Sequence, residues 1–139
     1  MLWKLKQRQL AWLAQEKGTI HKDWGGKLRI AIAFPNRYAV GMSNLGFQSV
    51  YRTLNGFPDV LCERVFYPEP EDLELIRRNP GQLISVESQR PISDFHILAF
   101  SLLFENDYSQ AVEMLSFAGI PAIAEHRGES HPLVASGGI

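Results

Sequence analysis

The sequence has little cysteine and no excess of charge of either sign. Cys62 is the only cysteine among 139 residues. An intrachain disulfide is therefore excluded, as is a metal or iron-sulfur site built from the cysteines of this chain alone. The formal net charge is −1, whereas proteins that bind nucleic acid or anionic membranes usually cluster Lys and Arg. We therefore expect neither nucleic acid nor a membrane as a partner.

Long apolar runs are also lacking. No run approaches the ~20 residues that a transmembrane helix needs, and the N-terminal segment lacks the apolar core of a signal peptide. A cytoplasmic location is therefore expected. The histidines show no metal-ligand spacing with one another or with Cys62, so no zinc site is expected. These histidines are His21, His96, His126 and His131.

The sequence does contain alternating strand-like and helix-like segments. Runs that are apolar at nearly every position predict strands buried on both faces. Strands are predicted at 28–34, 60–66, 95–100 and 133–135, with smaller ones at 83–87 and 122–125. Helices are predicted at 2–16, from Ser43 or Asn44 as N-cap to residue 55, at 71–78 and at 105–118.

This alternation predicts a doubly wound α/β fold with a mostly parallel sheet, of the Rossmann or flavodoxin-like type. We expect an N-terminal amphipathic helix and lead-in at 1–26, followed by an α/β domain at 27–139. Residue 139 follows a predicted buried strand at the point where a helix should begin. We therefore expect an incomplete domain whose parent polypeptide continues.

Ligands of such sheets bind at the carboxyl ends of the strands, where the strand order reverses. The first candidate loop contains Asn36 and Gly41 before a helix, where backbone N–H groups can meet a polar ligand. The alternative is a plain loop in which Gly41 supplies backbone freedom and Asn36 caps a turn.

Two further loops follow predicted strands. Ser101 begins the second, and it is free for a ligand because Asn106 or Asp107 can cap the following helix. Gly137 and Gly138 form the third, where missing side chains let a flat ligand approach, or simply allow a tight turn. No paired carboxylates and no nucleophile elbow are present, so no catalytic residue is expected in this chain.

Together these loops resemble the signature of cobalamin-binding domains, D-x-H-x-x-G, then S-x-L, then G-G. The matching residues are Asn36, Tyr38 and Gly41, then Ser101 and Leu103, then Gly137 and Gly138. The segments 18–26, 38–48, 62–68 and 100–108 resemble the N-terminal part of an uncharacterised radical SAM group. In that group a cobalamin-binding-like domain precedes a partial barrel with a C-x-x-x-C-x-x-C cluster motif.

The resemblance implies a module that holds cobalamin through these seven residues, over the radical SAM site of the parent. Tyr38 stands where the signature has its cobalt-binding histidine, and a neutral phenol is a poor ligand. The resemblance therefore implies a corrinoid without a protein nitrogen on cobalt. Tyr38, Ser101 and Gly137 are expected to converge on one side of the sheet.

S-adenosylmethionine and the [4Fe-4S] cluster are expected only in the rest of the parent, whose radical SAM domain is the expected partner. The isolated segment is also expected to be marginally stable or to self-associate. The alternative is a degenerate, cofactor-free α/β domain that serves as a scaffold or docks a substrate or partner. A flavin- or phosphate-binding flavodoxin-like domain is disfavoured because the first loop lacks a glycine-rich phosphate cradle.

Overall fold

Four parallel strands form the centre of the protein. The computed structural model describes residues 2–137, with β1 at Leu28–Phe34, β2 at Val60–Phe66, β3 at Ile97–Ser101 and β4 at Leu133–Gly137. The strand order is β2-β1-β3-β4, and all three pairings are parallel. This order is flavodoxin-like and reverses between β1 and β3. The predicted α/β fold is confirmed.

Five helices accompany the sheet in the described part of the chain. They are α1 (Leu2–Gln15), α2 (Tyr38–Met42), α3 (Leu45–Asn55), α4 (Pro70–Arg78) and α5 (Asp107–Phe117). Asn44 is the N-cap of α3, because its side-chain oxygen accepts a hydrogen bond from the Phe47 N–H at 2.8 Å. Of the two predicted caps, Asn44 is therefore the correct one.

Alternate residues of the strands pack against different helices. Ile30, Ile32 and Phe34 of β1 belong to a core that also contains Phe47 and Tyr51 of α3. The residues between them, Ala31 and Ala33, face a second core to which α4 and α5 contribute. This alternation is the side-chain period of a strand, and it explains why β1 is apolar at nearly every position.

Two predicted strands are wrong. Segment 83–87 forms only an isolated bridge between Ile84 and Pro91, because the chain folds back through Gln89, whose φ is +52°. Segment 122–125 follows Pro121 and enters a 3-10 turn at Ala124–His126. Its residues are exposed, so no apolar face requires pairing in a sheet.

The free edge of β2 is closed by other parts of the chain. The Asn55 side chain bonds both main-chain groups of Cys62, at 2.9 Å to the N–H and 3.0 Å to the carbonyl. The N–H of Arg64 donates to Glu87 at 3.0 Å, and its carbonyl accepts from Val86 N at 2.8 Å. An edge whose polar groups are occupied does not recruit another strand.

None of the helices within residues 2–137 has both the length and the apolar character needed to cross a bilayer.

Asn55→Ala is expected to lower the free energy of unfolding by about 2–4 kcal/mol, because two buried main-chain groups of Cys62 lose their partners. Urea denaturation measures the change. Asn106→Ala is the matched control, since that exposed residue makes no side-chain cap. Equal stability of the two variants would show that Asn55 does not hold the β2 edge.

Candidate ligand-binding site

A cavity of about 470 Å³ lies between α3 and the sheet, beside the reversal of strand order. Its volume falls within the range of about 300–1,000 Å³ typical of small-molecule pockets. Its lining comes from α3 and the turn before it, from three strands, and from the loop after β3. The lining residues are Ile32, Asn44, Gly46, Phe47, Val50, Ala99, Phe100, Ser101, Leu103, Ala135, Ser136 and Gly137.

Small side chains at paired positions create this cavity. Ala99 pairs with Ala135, and Ser101 pairs with Gly137, in the register of β3 and β4. The side chains of such pairs lie on the same face of a sheet. A Cβ added at Gly137 would have no heavy atom within 4 Å. Space therefore remains between the sheet and α3, because β3 and β4 present small residues towards the α3 side.

The second candidate loop lines this cavity directly. Ser101 and Leu103 are both lining residues. Asp107 caps the turn that follows, because its carboxylate accepts from the N–H groups of Leu103 at 2.9 Å and Phe104 at 3.1 Å. The side chain of Ser101 is therefore not needed to cap this turn, as the sequence suggested.

The third candidate loop reaches the same cavity through Gly137. Gly138 lies outside the described residues.

Asn36 and Tyr38 of the first loop are placed elsewhere. The Asn36 side-chain oxygen accepts from the Arg37 N–H at 2.8 Å, as a turn cap does. The Tyr38 ring stacks on Trp12 of α1, with 4.1 Å between ring centroids and an interplanar angle of 3°. Its hydroxyl donates to the Glu16 carboxylate. Neither residue lines the cavity, although both follow the carboxyl end of β1.

Gly41 is a packing residue. It is buried, and a Cβ added there would lie 2.3 Å from an atom of the Phe66 ring. That ring is confined by edge contacts with Tyr38 and Phe47. Only glycine therefore lets α2 approach β2 this closely.

A buried ion cluster holds the first loop and the tail of α1 against β2. Arg64 pairs with Glu16 at 2.7 Å and with Glu87 at 2.6 Å, and these three side chains are 2%, 5% and 1% exposed. The third Arg64 nitrogen, Nη1, lies 3.3 Å from the sulfur of Met42, at the end of α2. The guanidinium also covers the Tyr51 ring at 4.7 Å. One arginine therefore joins α1, α2, α3, β2 and the segment containing Glu87.

The protonation equilibria of this cluster follow from burial and partners. Burial raises the pKa of Glu16, but hydrogen bonds from Arg64, Thr19 and Tyr38 outweigh it, so the pKa lies below its ordinary value. Burial raises the pKa of Glu87, against the opposing charge of Arg64. Burial and the bond to Glu16 both raise the pKa of Tyr38, so its phenol stays neutral.

The structure thus brings Ser101, Leu103 and Gly137 together at one cavity and leaves Asn36, Tyr38 and Gly41 outside its lining. Sequence reasoning missed Asn44, Gly46, Ala99 and Ala135. Small residues at alternate positions of two strands, in matching phase, were the available signal. Arg64 was also missed, and its signal was the pair of adjacent charges, Glu63 and Arg64, inside an otherwise apolar strand. Within residues 2–137, no three His, Cys, Asp or Glu side chains cluster as metal ligands.

Residues 46–139 match the family described as radical SAM proteins, N-terminal. This match covers more than half of the chain, so the chain belongs to that family and is a module of a radical SAM protein. The matched region contains β2, β3, β4 and most of the residues that line the cavity. No curated protein and no solved structure matches the chain significantly.

Gly41→Ala is expected to destabilise the protein by about 1–3 kcal/mol, the usual cost of adding a methyl group to a packed core. Gly25→Ala is the control, since nothing lies within 4 Å of a Cβ added there. Chemical denaturation compares the free energies of unfolding of the two variants. A fully stable Gly41→Ala variant would show that the Phe66 ring moves aside easily.

Glu16→Gln is expected to cost about 3–5 kcal/mol, because it breaks a buried ion pair and leaves Arg64 with one carboxylate. The lowered pKa of Glu16 means that its stabilising contribution is present above its ordinary pKa of 4.5 and is lost as the pH falls below it. The variant should therefore lose stability less steeply on acidification.

Unfolding free energies measured between pH 3 and pH 7 (roughly the range over which carboxylates titrate) provide the comparison. Glu74→Gln is the control, because Glu74 forms an exposed pair with Arg78. An acid profile that Glu16→Gln leaves unchanged would contradict the proposed contribution of Glu16.

Proposed function

We propose that this N-terminal module binds a corrinoid, with the nucleotide portion in the cavity between α3 and the sheet. The ring would lie at the carboxyl edge of the strands, facing the radical SAM region of the parent protein. The single observation that carries the proposal is that Ser101 at the end of β3, Leu103 just after it and Gly137 at the end of β4 line one cavity. Those residues match the S-x-L and G-G parts of the cobalamin signature.

The cavity suits a largely apolar group. Phe47 and Val50 of α3 line one side of the cavity, and the small side chains of Ala99 and Ala135 leave space on the sheet side. The Ser101 hydroxyl and the Asn44 amide are polar groups at the lining, as in pockets where a few polar atoms fix orientation. Residues of this chain would thus hold the nucleotide and orient the ring.

The first loop would supply no ligand to cobalt. Tyr38 is engaged by Trp12 and Glu16, and its raised pKa keeps the phenol protonated. A neutral, hydrogen-bonded phenol does not compete as a metal ligand. A bound corrinoid would supply the reactive cobalt, and the protein would contribute binding and orientation.

The second candidate is a cofactor-free scaffold that docks a partner. The exposed apolar side chains of Phe104, Tyr108 and Leu133 favour it, since large exposed apolar residues commonly mark contact surfaces. Corrinoid binding distinguishes the two candidates.

Binding of hydroxocobalamin and of cobinamide, which lacks the nucleotide, tests the proposal. We expect the chain to bind cobalamin more tightly. Ser101→Leu, which fills the cavity, should weaken cobalamin binding by at least about tenfold, or ~1.4 kcal/mol. Cobinamide binding should stay unchanged, because that ligand does not enter the cavity.

Ser116→Leu is the matched control, since Ser116 is exposed on α5, away from the cavity lining. Equal effects of the two leucines, or failure of the unaltered chain to bind either corrinoid, would refute the proposal and favour the scaffold. Hyperfine splitting from a protein nitrogen in the electron paramagnetic resonance spectrum of bound cob(II)alamin would show that a protein side chain coordinates cobalt, contrary to the proposal.

A further inference from the structure

A buried amide of α1 has one polar atom that the chain leaves without a hydrogen bond. Within residues 2–137, the Gln9 side-chain oxygen Oε1 is the only buried side-chain nitrogen or oxygen without a partner, and Gln9 is 5% exposed. The other end of the amide donates to the Ile84 carbonyl at 3.4 Å. That bond fixes the orientation of the amide, because turning it over would bring two acceptor oxygens together. Buried polar atoms in native proteins are nearly always hydrogen-bonded, so Oε1 calls for a donor from outside the chain.

Gln9 lines a small cavity between α1 and the main domain. Leu5, Gln9 and Trp12 of α1 form one side, and residues 66–69 at the end of β2 and Asp72 in the first turn of α4 lie on the other. The volume of the cavity is about 10 Å³. That is close to the ~10–15 Å³ that one water molecule requires, and an organic ligand does not fit.

The carboxylates that line this cavity accept hydrogen bonds, as Gln9 Oε1 does, and their charges are already matched. Arg8 Nε donates to the Asp72 carboxylate at 3.0 Å, and a nitrogen of Arg37 lies 4.0 Å from the Glu69 carboxylate. Acceptors on both sides call for a ligand with two donors. Because the carboxylates have cationic partners, the ligand need not be a cation. Water is the small neutral molecule that meets both requirements.

We propose that this cavity is a binding site for one ordered water molecule, which donates to Gln9 Oε1 and to the Asp72 carboxylate. Asp72 is 3% exposed. Arg8 occupies only two of the roughly four acceptor positions of its carboxylate. The water thereby joins α1 to the first turn of α4.

This connection gives α1 a second polar attachment, separate from the Arg64 cluster. Trp12 lines the same cavity and stacks on Tyr38 of the first loop. Glu69, which also lines it, faces Arg37 of that loop. The water therefore lies where α1, α4 and the loop after β1 meet, and it helps to hold α1 at the carboxyl end of β2.

A crystal structure of the chain at a resolution that shows ordered water tests the site. We expect a solvent peak about 2.7–3.2 Å from Gln9 Oε1 and from an Asp72 carboxylate oxygen, the usual range of hydrogen-bond distances. Gln9→Met keeps a side chain of similar length without the amide oxygen, and it should lose the peak. Gln7→Met is the matched control, since Gln7 is exposed on the same helix, and it should keep the peak.

Nuclear magnetic resonance supplies a test that needs no variant. Magnetisation should pass from water to the Gln9 side-chain amide protons with the sign of a water that tumbles with the protein. The absence of that transfer, or of the solvent peak beside Oε1, would overturn the proposal.

A solvent peak that persists in Gln9→Met would also overturn it, because Gln9 would then not hold the water. A peak with several oxygens at about 2.3–2.6 Å would assign a metal ion in place of water. None of these results depends on a corrinoid, so they leave the test of the proposed function separate.

Discussion

The buried pairing of Arg64 with Glu16 and Glu87 is the interaction on which the rest of the structure depends. A guanidinium in a nearly dry environment is tolerated only when it is paired and hydrogen-bonded. Here the two carboxylates come from segments far apart in the sequence, Glu16 just after α1 and Glu87 between α4 and β3. The pairing thereby attaches α1 to the domain and closes the edge of β2.

The same cluster determines what the first loop can do. The Glu16 carboxylate accepts a hydrogen bond from the Tyr38 hydroxyl, and Trp12 stacks on the Tyr38 ring. Both contacts draw Tyr38 towards α1, whereas Asn44 and Gly46, a few residues later, line the cavity. The loop after β1 therefore divides into an anchoring half and a cavity-lining half. Gly41 allows this division because it lets α2 approach Phe66 closely.

Local patterns predicted the elements whose burial is uniform. The strands at 28–34 and 60–66 were predicted with their observed bounds, because most residues of both runs are apolar, as expected of strands buried on both faces. Segment 83–87 was mistaken for a strand because it is similarly apolar, yet it folds back and caps the β2 edge with the Glu87 side chain. A side chain that takes the place of a neighbouring strand leaves no periodic pattern in the sequence.

The site was predictable only in part for a related reason. Ser101, Leu103 and Gly137 were named from positions after strands, and the parallel register brings them to one cavity. The position of Tyr38 depends on Trp12, more than twenty residues earlier, and local sequence carries no information on that contact. The cavity itself results from the pairing of small residues across β3 and β4, which becomes visible only when the register is known.

A crystal structure of the chain with hydroxocobalamin tests the central claim most directly. The account predicts the nucleotide between α3 and the small residues of β3 and β4, beside Ser101 and Gly137. It also predicts Tyr38 still stacked on Trp12, with no protein atom on cobalt. A corrinoid bound elsewhere, or Tyr38 turned away from Trp12 to reach the metal, would contradict it.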